Sequence, residues 1–147
     1  FGHVAFKVSD TERSVRWYAD AFGARKIYHA EAKGERPELM FLEFARGQLI
    51  ELFSGGKNML PSPPDPIGYL HFCLLVDDLE QALEHLAKMN VKPVRKFIGR
   101  AQQRIAFIND PDGNSIEVMQ IPPESPIYRD DMSPLKELRP GAEAGGR

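Results

Sequence analysis

The chain alternates and then changes period, twice over. From His3 to Val8, the residues Val4, Phe6 and Val8 fall on one face while His3, Ala5 and Lys7 fall on the other. That is the two-residue period of a half-buried strand. Ser9 followed by Glu12 has capping-box spacing, which predicts a helix beginning at about residue 10. Val15, Tyr18, Ala19 and Phe22 then recur at helical spacing, and Gly23 marks the end of the helix. The same sentence is written again from His71. Phe72, Leu74 and Val76 form the strand face, Asp77 and Glu80 lie at the cap, and Leu79, Ala82, Leu83 and Leu86 form the helical stripe.

HVAFKVSDTERSVRWY (3–18) falls on HFCLLVDDLEQALEHL (71–86) at an offset of 68. Further on, GQLIELF (47–53) falls on GNSIEVM (113–119) at an offset of 66, so only a small loop deletion separates the two registers. Each helix is followed by three expected strands. In the first module these are about 25–31, 39–45 and 48–54, with a tight turn at Arg46-Gly47. In the second they are about 93–98, 103–109 and 115–121, with Asp110-Pro-Asp-Gly-Asn114 as the turn. The expected organisation is an α+β chain of two βαβββ modules, 1–54 and 68–121. A Gly/Pro-rich linker (55–67) joins them. A tail (122–147) holds five of the twelve prolines; it is expected to be partly disordered, with one short helix starting at Ser133-Pro134.

Composition narrows the function. With 147 residues the chain can bury a sizeable core, and 10% aromatic residues supply its bulk. Lys+Arg number 19 against 21 Asp+Glu, a net charge of −2, which lacks the basic excess of a nucleic-acid groove. No apolar run approaches the roughly 18 residues of a membrane span. The single cysteine, Cys73, excludes an internal disulfide and a Cys-rich zinc site, and fits the reducing cytoplasm. These features point to small-molecule chemistry.

Alternation also selects candidate ligands. If Ile50 and Leu52 lie under the first helix, Glu51 points to the other face with Leu49 and Phe53. If Ile116 and Val118 lie under the second, Glu117 points away with Ser115 and Met119. His3 and His71 also stand opposite their apolar triplets. A lone His or Glu on such a face is ordinarily just solvated. The same pair at equivalent places in both repeats is better explained as a ligand set. Two imidazoles and two carboxylates suit a divalent Ni, Co, Mn, Fe or Zn ion, and their charge of −2 offsets that of the cation. Curved sheets that join would line one concave, metal-lined cleft with these faces, leaving two coordination positions for substrate. Phe53 and Met119 are candidate walls of that pocket, and Arg104 is a candidate contact for an anionic substrate group. Cys73 is expected to face the cleft as a small packing residue.

The repeat, the DPDG turn before the last strand and the four ligand slots together resemble the vicinal oxygen chelate superfamily, the glyoxalase/bleomycin-resistance/dioxygenase group, across residues 1–121. Its fold is an open half-barrel of paired βαβββ modules. The order His3, Glu51, His71, Glu117 is similar to that of bacterial-type glyoxalase I. The resemblance implies a metal-dependent lyase or isomerase (lactoylglutathione lyase type) acting through a metal-bound enediolate. Glu117 would be the catalytic base and Glu51 its counterpart; the substrate would carry vicinal oxygens, and the assembly would be a homodimer. Alternatives within the same superfamily are an epimerase, an extradiol dioxygenase, or a binder of drugs or metabolites without turnover. Two positions depart from the glyoxalase I pattern. Lys7 stands where that pattern has Arg, and Gly55 where it has Asn. Lysine keeps a charge that can line the pocket but loses the planar fork, and glycine offers no side-chain contact. The resemblance therefore implies the reaction class more firmly than glutathione as the thiol.

Overall fold

The computed structural model describes residues 2–59 and 67–129. The chain divides into two compact units between Gly55 and Gly56. The first contains β1 (His3–Lys7), α1 (Thr11–Phe22), β2 (Arg25–Ala30), β3 (Leu39–Ala45) and β4 (Gln48–Phe53). The second contains β5 (Phe72–Leu75), α2 (Leu79–Lys88), β6 (Arg95–Ile98), β7 (Arg104–Asn109) and β8 (Ser115–Gln120). Each unit folds as one mixed four-stranded sheet with its helix packed on one face. The orders are β1-β4-β3-β2 and β5-β8-β7-β6. In both, the first strand runs parallel to the last and the remaining pairs are antiparallel. The fold is α+β, and the βαβββ order expected from the alternation is present twice.

The helices begin one residue later than the capping pattern predicts. Asp10 caps α1: its backbone is extended and its carboxylate accepts the Arg13 N–H at 2.9 Å. Ser9 instead accepts a bond from the Arg13 guanidinium. In the second unit Asp78, not Asp77, takes the Gln81 N–H at 3.0 Å. A carboxylate that reaches the third helical N–H stabilises a helix end by about 1 kcal/mol, and only these two aspartates stand at the required distance. Gly23 closes α1 in the left-handed region, φ 67°, where its N–H reaches Ala19 O.

The buried face of α1 is also turned from the expected stripe. Thr11, Ser14, Tyr18, Ala21 and Phe22 are buried, while Val15 and Ala19 are half-buried. Ser14 is small enough to lie against the sheet without a gap, so the helix rolls until Tyr18 and Phe22 both reach Phe44, in edge contacts at 5.9 and 6.4 Å. Under α1, Phe6, Val8, Met40, Leu42, Ile50 and Leu52 complete the core. Under α2 the equivalent layer is Leu74, Val76, Ala106, Ile108, Ile116 and Val118. Truncating any of the larger ones to Ala costs roughly 2–5 kcal/mol.

Two short loops set the strand registers. Gly47 takes φ 76° between β3 and β4, beside a bulge between Glu43 and Ala45. At the β7–β8 turn, Asp110 is buried and its carboxylate accepts the N–H groups of Asp112 and Asn114 at 2.9 and 2.8 Å, and the Asn114 side-chain amide at 2.8 Å. Gly113 completes this turn at φ 87°. The first part of the expected tail is ordered: Pro122 and Ser125 are buried, and Ser125 Oγ donates to Ala101 O. The helix expected at Ser133-Pro134 lies outside the described residues, as does most of the expected linker. Among the described residues no helix is long and apolar enough to cross a membrane.

Candidate functional site

The helix-free face of each sheet carries the residues that alternation assigned to it. In the first unit Glu51 lies across β3 from Phe41 and beside Ala5, two residues after His3. His3 Nε2 stands 3.3 Å from Glu51 Oε2. In the second unit Glu117 lies across β7 from Phe107 and beside Cys73. His71 Nε2 stands 2.7 Å from Glu117 Oε2. Glu51 and Glu117 are well shielded, their side chains 14% and 12% exposed, whereas His3 remains 44% exposed and His71 28%.

Each imidazole is also seated against a phenylalanine. His3 meets Phe41 edge-on with centroids 5.4 Å apart and planes at 82°; His71 meets Phe107 at 4.9 Å and 89°. Such edge contacts contribute about 0.5–1.5 kcal/mol beyond burial and restrict ring rotation, so the Nε2 atoms stay turned toward their carboxylates. Neither phenylalanine was singled out from the sequence, although a signal exists: Phe41 and Phe107 are separated by the same 66 residues as Glu51 and Glu117.

The donor set can be tested against a metal ion by its spacing. Neighbouring imidazole and carboxylate ligands at roughly 2.1 Å from one cation, at right angles, stand about 3.0 Å apart. The two His–Glu separations, 3.3 and 2.7 Å, fall on either side of that value. Each pair therefore fits two adjacent coordination positions with little movement. Among the described residues no three or more His, Cys, Asp or Glu side chains gather closely enough to hold an ion by themselves. Within its unit, each pair is half of the ligand set expected from the repeat.

The other expected residues divide by face. Lys7 and Phe53 stand side by side at the end of β1 and β4, on the ligand face. Gly55 lies next to them: at φ 85°, a Cβ there would stand 3.9 Å from Lys7 Cε. Met119 lies between Leu75 and Ile105, on the ligand face of the second unit. Arg104 does not share that face. It is paired with Gln120, whose side chain turns toward the helix to accept the Leu79 N–H, and so it is placed opposite Glu117. Strict alternation along β7 decides this, because Ile105 and Phe107 occupy the ligand face. Cys73 does face Glu117. Although Cys73 is exposed at the sheet surface, desolvation of its sulfur, then the Glu117 charge and a bond to that carboxylate, push its thiol up to about 12. Cys73 therefore stays protonated and acts as a donor to Glu117.

Arg95, not selected from the sequence, lies on the same face. It stands across β6–β7 from Phe107, with its guanidinium carbon 4.0 Å from the ring centroid. His29, which has no ligand counterpart in the repeat, instead pairs with Glu38 at 2.9 Å, and Thr11 Oγ1 donates to the same carboxylate. That cluster joins α1 to β2 and β3, away from the ligand face.

Comparison with known proteins agrees with this architecture. The profile of the Glyoxalase/Bleomycin resistance protein/Dioxygenase superfamily matches residues 1–118. The chain belongs to this superfamily. It is 27% identical over 144 residues to a lactoylglutathione lyase of Pseudomonas aeruginosa, covering 82% of this chain and 81% of that protein. It is 32% identical over 124 residues to YaeR of Escherichia coli K12, covering 80% and 93%. The fold superposes on a glyoxalase family protein from Enterococcus faecalis with a TM-score of 0.72, at 20% identity over 81% of this chain and 95% of that one. For a superfamily member, the repeated helix-free face with its His–Glu pairs is the natural candidate site.

Proposed function

We propose that this superfamily member is a metal-dependent lyase or isomerase of the glyoxalase I type, acting on a small molecule with vicinal oxygens. The observation that carries the reading is the same His–Glu pair, seated on the same phenylalanine position, in both units. The similarity to lactoylglutathione lyases supports it. His3, Glu51, His71 and Glu117 would hold the ion; Ni, Co, Mn, Fe and Zn all suit their donor atoms. A full set of four takes one pair from each kind of unit, supplied by one chain or by two copies in a homodimer. The cytoplasm, where Cys73 stays reduced, suits such a protein.

A divalent ion held by these residues would supply Lewis-acid polarisation of the substrate oxygens and offset the negative charge left when a C–H proton departs. The chain's own contribution is proton transfer and positioning. Glu117, shielded from solvent and beside the Cys73 thiol, takes the proton from one carbon and returns it to its neighbour. Glu51 is its counterpart in the other repeat. Phe41 and Phe107 hold the imidazoles in orientation, and Phe53, Met119 and Lys7 form the remaining walls. Lys7 beside Gly55 provides a single flexible cation, which suits a thiol carrier other than glutathione.

The test is metal analysis of the purified protein followed by turnover of 2-oxoaldehyde–thiol adducts formed with glutathione and with other small thiols. Bound divalent metal and turnover of at least one adduct are expected. Glu117→Gln should lower kcat by about 10²–10⁴-fold, the size of a general acid–base step, with a smaller loss for Glu51→Gln. A protein that takes up no metal from excess Ni²⁺ or Zn²⁺ would instead be a binder without this chemistry. Iron-dependent oxygen consumption would make it a dioxygenase.

A further inference from the structure

Arg95 begins β6 and stands directly across from Phe107 on β7, which stands directly across from Glu117 on β8. The three share one sheet face in a line. Two strand spacings separate the backbones of Arg95 and Glu117, about 10 Å. The guanidinium lies over two rings, 4.0 Å from the Phe107 centroid and 5.5 Å from that of Phe97. Those rings are themselves nearly parallel, 6.2 Å apart at 10°. The same Phe107 ring receives the His71 imidazole. A single aromatic residue thus joins the candidate ligand to a cation.

That cation carries no countercharge from the described residues. Among the described residues no carboxylate pairs with Arg95, whereas its neighbour Lys96, turned to the other face, is bonded to Glu80 on α2. A guanidinium seated over aromatic rings keeps its N–H fork available for a planar anion. Having lost side-chain freedom already, it loses less when it grips one. The first unit differs at the same register position. Tyr28 stands across from Phe41 there, with ring centroids 6.2 Å apart. The two repeats therefore present a neutral aromatic group in one case and a charge in the other, an asymmetry that the His–Glu pairs lack.

The geometry points to Arg95 as a specificity residue that binds a carboxylate on the substrate, at the far end of the face that carries His71 and Glu117. The substrate class is a vicinal-oxygen compound whose carboxylate is carried on an apolar spacer long enough to lie along Phe107. The inference rests on the proposed role of His71 and Glu117 as metal ligands.

The experiment uses the full chain loaded with Ni²⁺ and two probes in calorimetric titration: glutaric monohydroxamic acid and its methyl ester. Both carry the same oxygen chelator, and only the acid carries the anion. The acid is expected to bind about tenfold or more tightly than the ester. Arg95→Met should abolish that preference while leaving ester affinity within about twofold, and Arg95→Lys should retain part of it. Equal affinities in the wild type, with Ni²⁺ and ester both bound, would overturn the role of Arg95 alone; so would a preference that survives in Arg95→Met. Failure to take up Ni²⁺, or to bind either probe, would overturn the ligand set and this inference with it.

Discussion

Replacing His71 by Ala separates a metal-binding role from a merely structural one. Without metal, the substitution removes the 2.7 Å contact to Glu117 and the edge contact to Phe107. A charge-assisted bond at a site still partly open to solvent contributes about 1–1.5 kcal/mol, and the ring contact about 0.5–1 kcal/mol. The metal-free variant should therefore lose roughly 2 kcal/mol, or about 4–8 °C in Tm for a chain of this size. The metal-dependent increment is independent of that loss. An ion present at 100 times its Kd stabilises the native state by about 2.7 kcal/mol, which should raise the wild-type Tm by roughly 5–11 °C. His71→Ala should lower the starting Tm and also erase this rise. The assay is a thermal unfolding series, followed by circular dichroism, in chelator and in millimolar Ni²⁺, Co²⁺, Mn²⁺ and Zn²⁺. A wild type that no ion stabilises would refute the reasoning, as would a variant that keeps the full increment.

Two further predictions concern the turn and the side-chain cluster that hold the units together internally. Asp110→Ala should destabilise the chain by about 3 kcal/mol, read by urea unfolding, because three hydrogen bonds to a buried carboxylate are lost; loss below 1 kcal/mol would show that the β7–β8 turn holds without it. Glu38 is held below its ordinary value of 4.5 by the Thr11 hydroxyl and then by His29, against the opposing effect of burial. Its contribution to stability is thus complete above that value and fades as pH falls through the lowered native one. Thr11→Val should raise the Glu38 carboxyl titration, followed by NMR, and so shift the onset of acid unfolding to higher pH. An unchanged titration would remove the hydroxyl as the cause.

Apolar period, the internal repeat and the turn residues together predict each strand and helix of the described residues, because these are local properties that each element must satisfy to bury one face or reverse the chain. The same alternation placed His3, Glu51, His71, Glu117, Lys7, Phe53 and Met119 on the faces where they stand. It was less reliable where competing local choices differ by little energy. Ser9 and Asp10 can each cap a helix, and only the achieved backbone angle selects Asp10. Arg104 was read for its charge rather than its register, and its neighbours Ile105 and Phe107 show that it belongs to the helix side.

What only the tertiary structure decided is contact across strands. Phe41 and Phe107 are ordinary core residues in a linear reading; they become supports for the imidazoles only when β3 and β7 are laid beside β4 and β8. Arg95 is a further case, since nothing along the chain tells a solvated strand arginine from one seated over two rings. Chain order determines which face a side chain shares, because that follows from the backbone period. Strand pairing determines what it touches there, because the partners come from residues distant in sequence whose register is set by turns and packing.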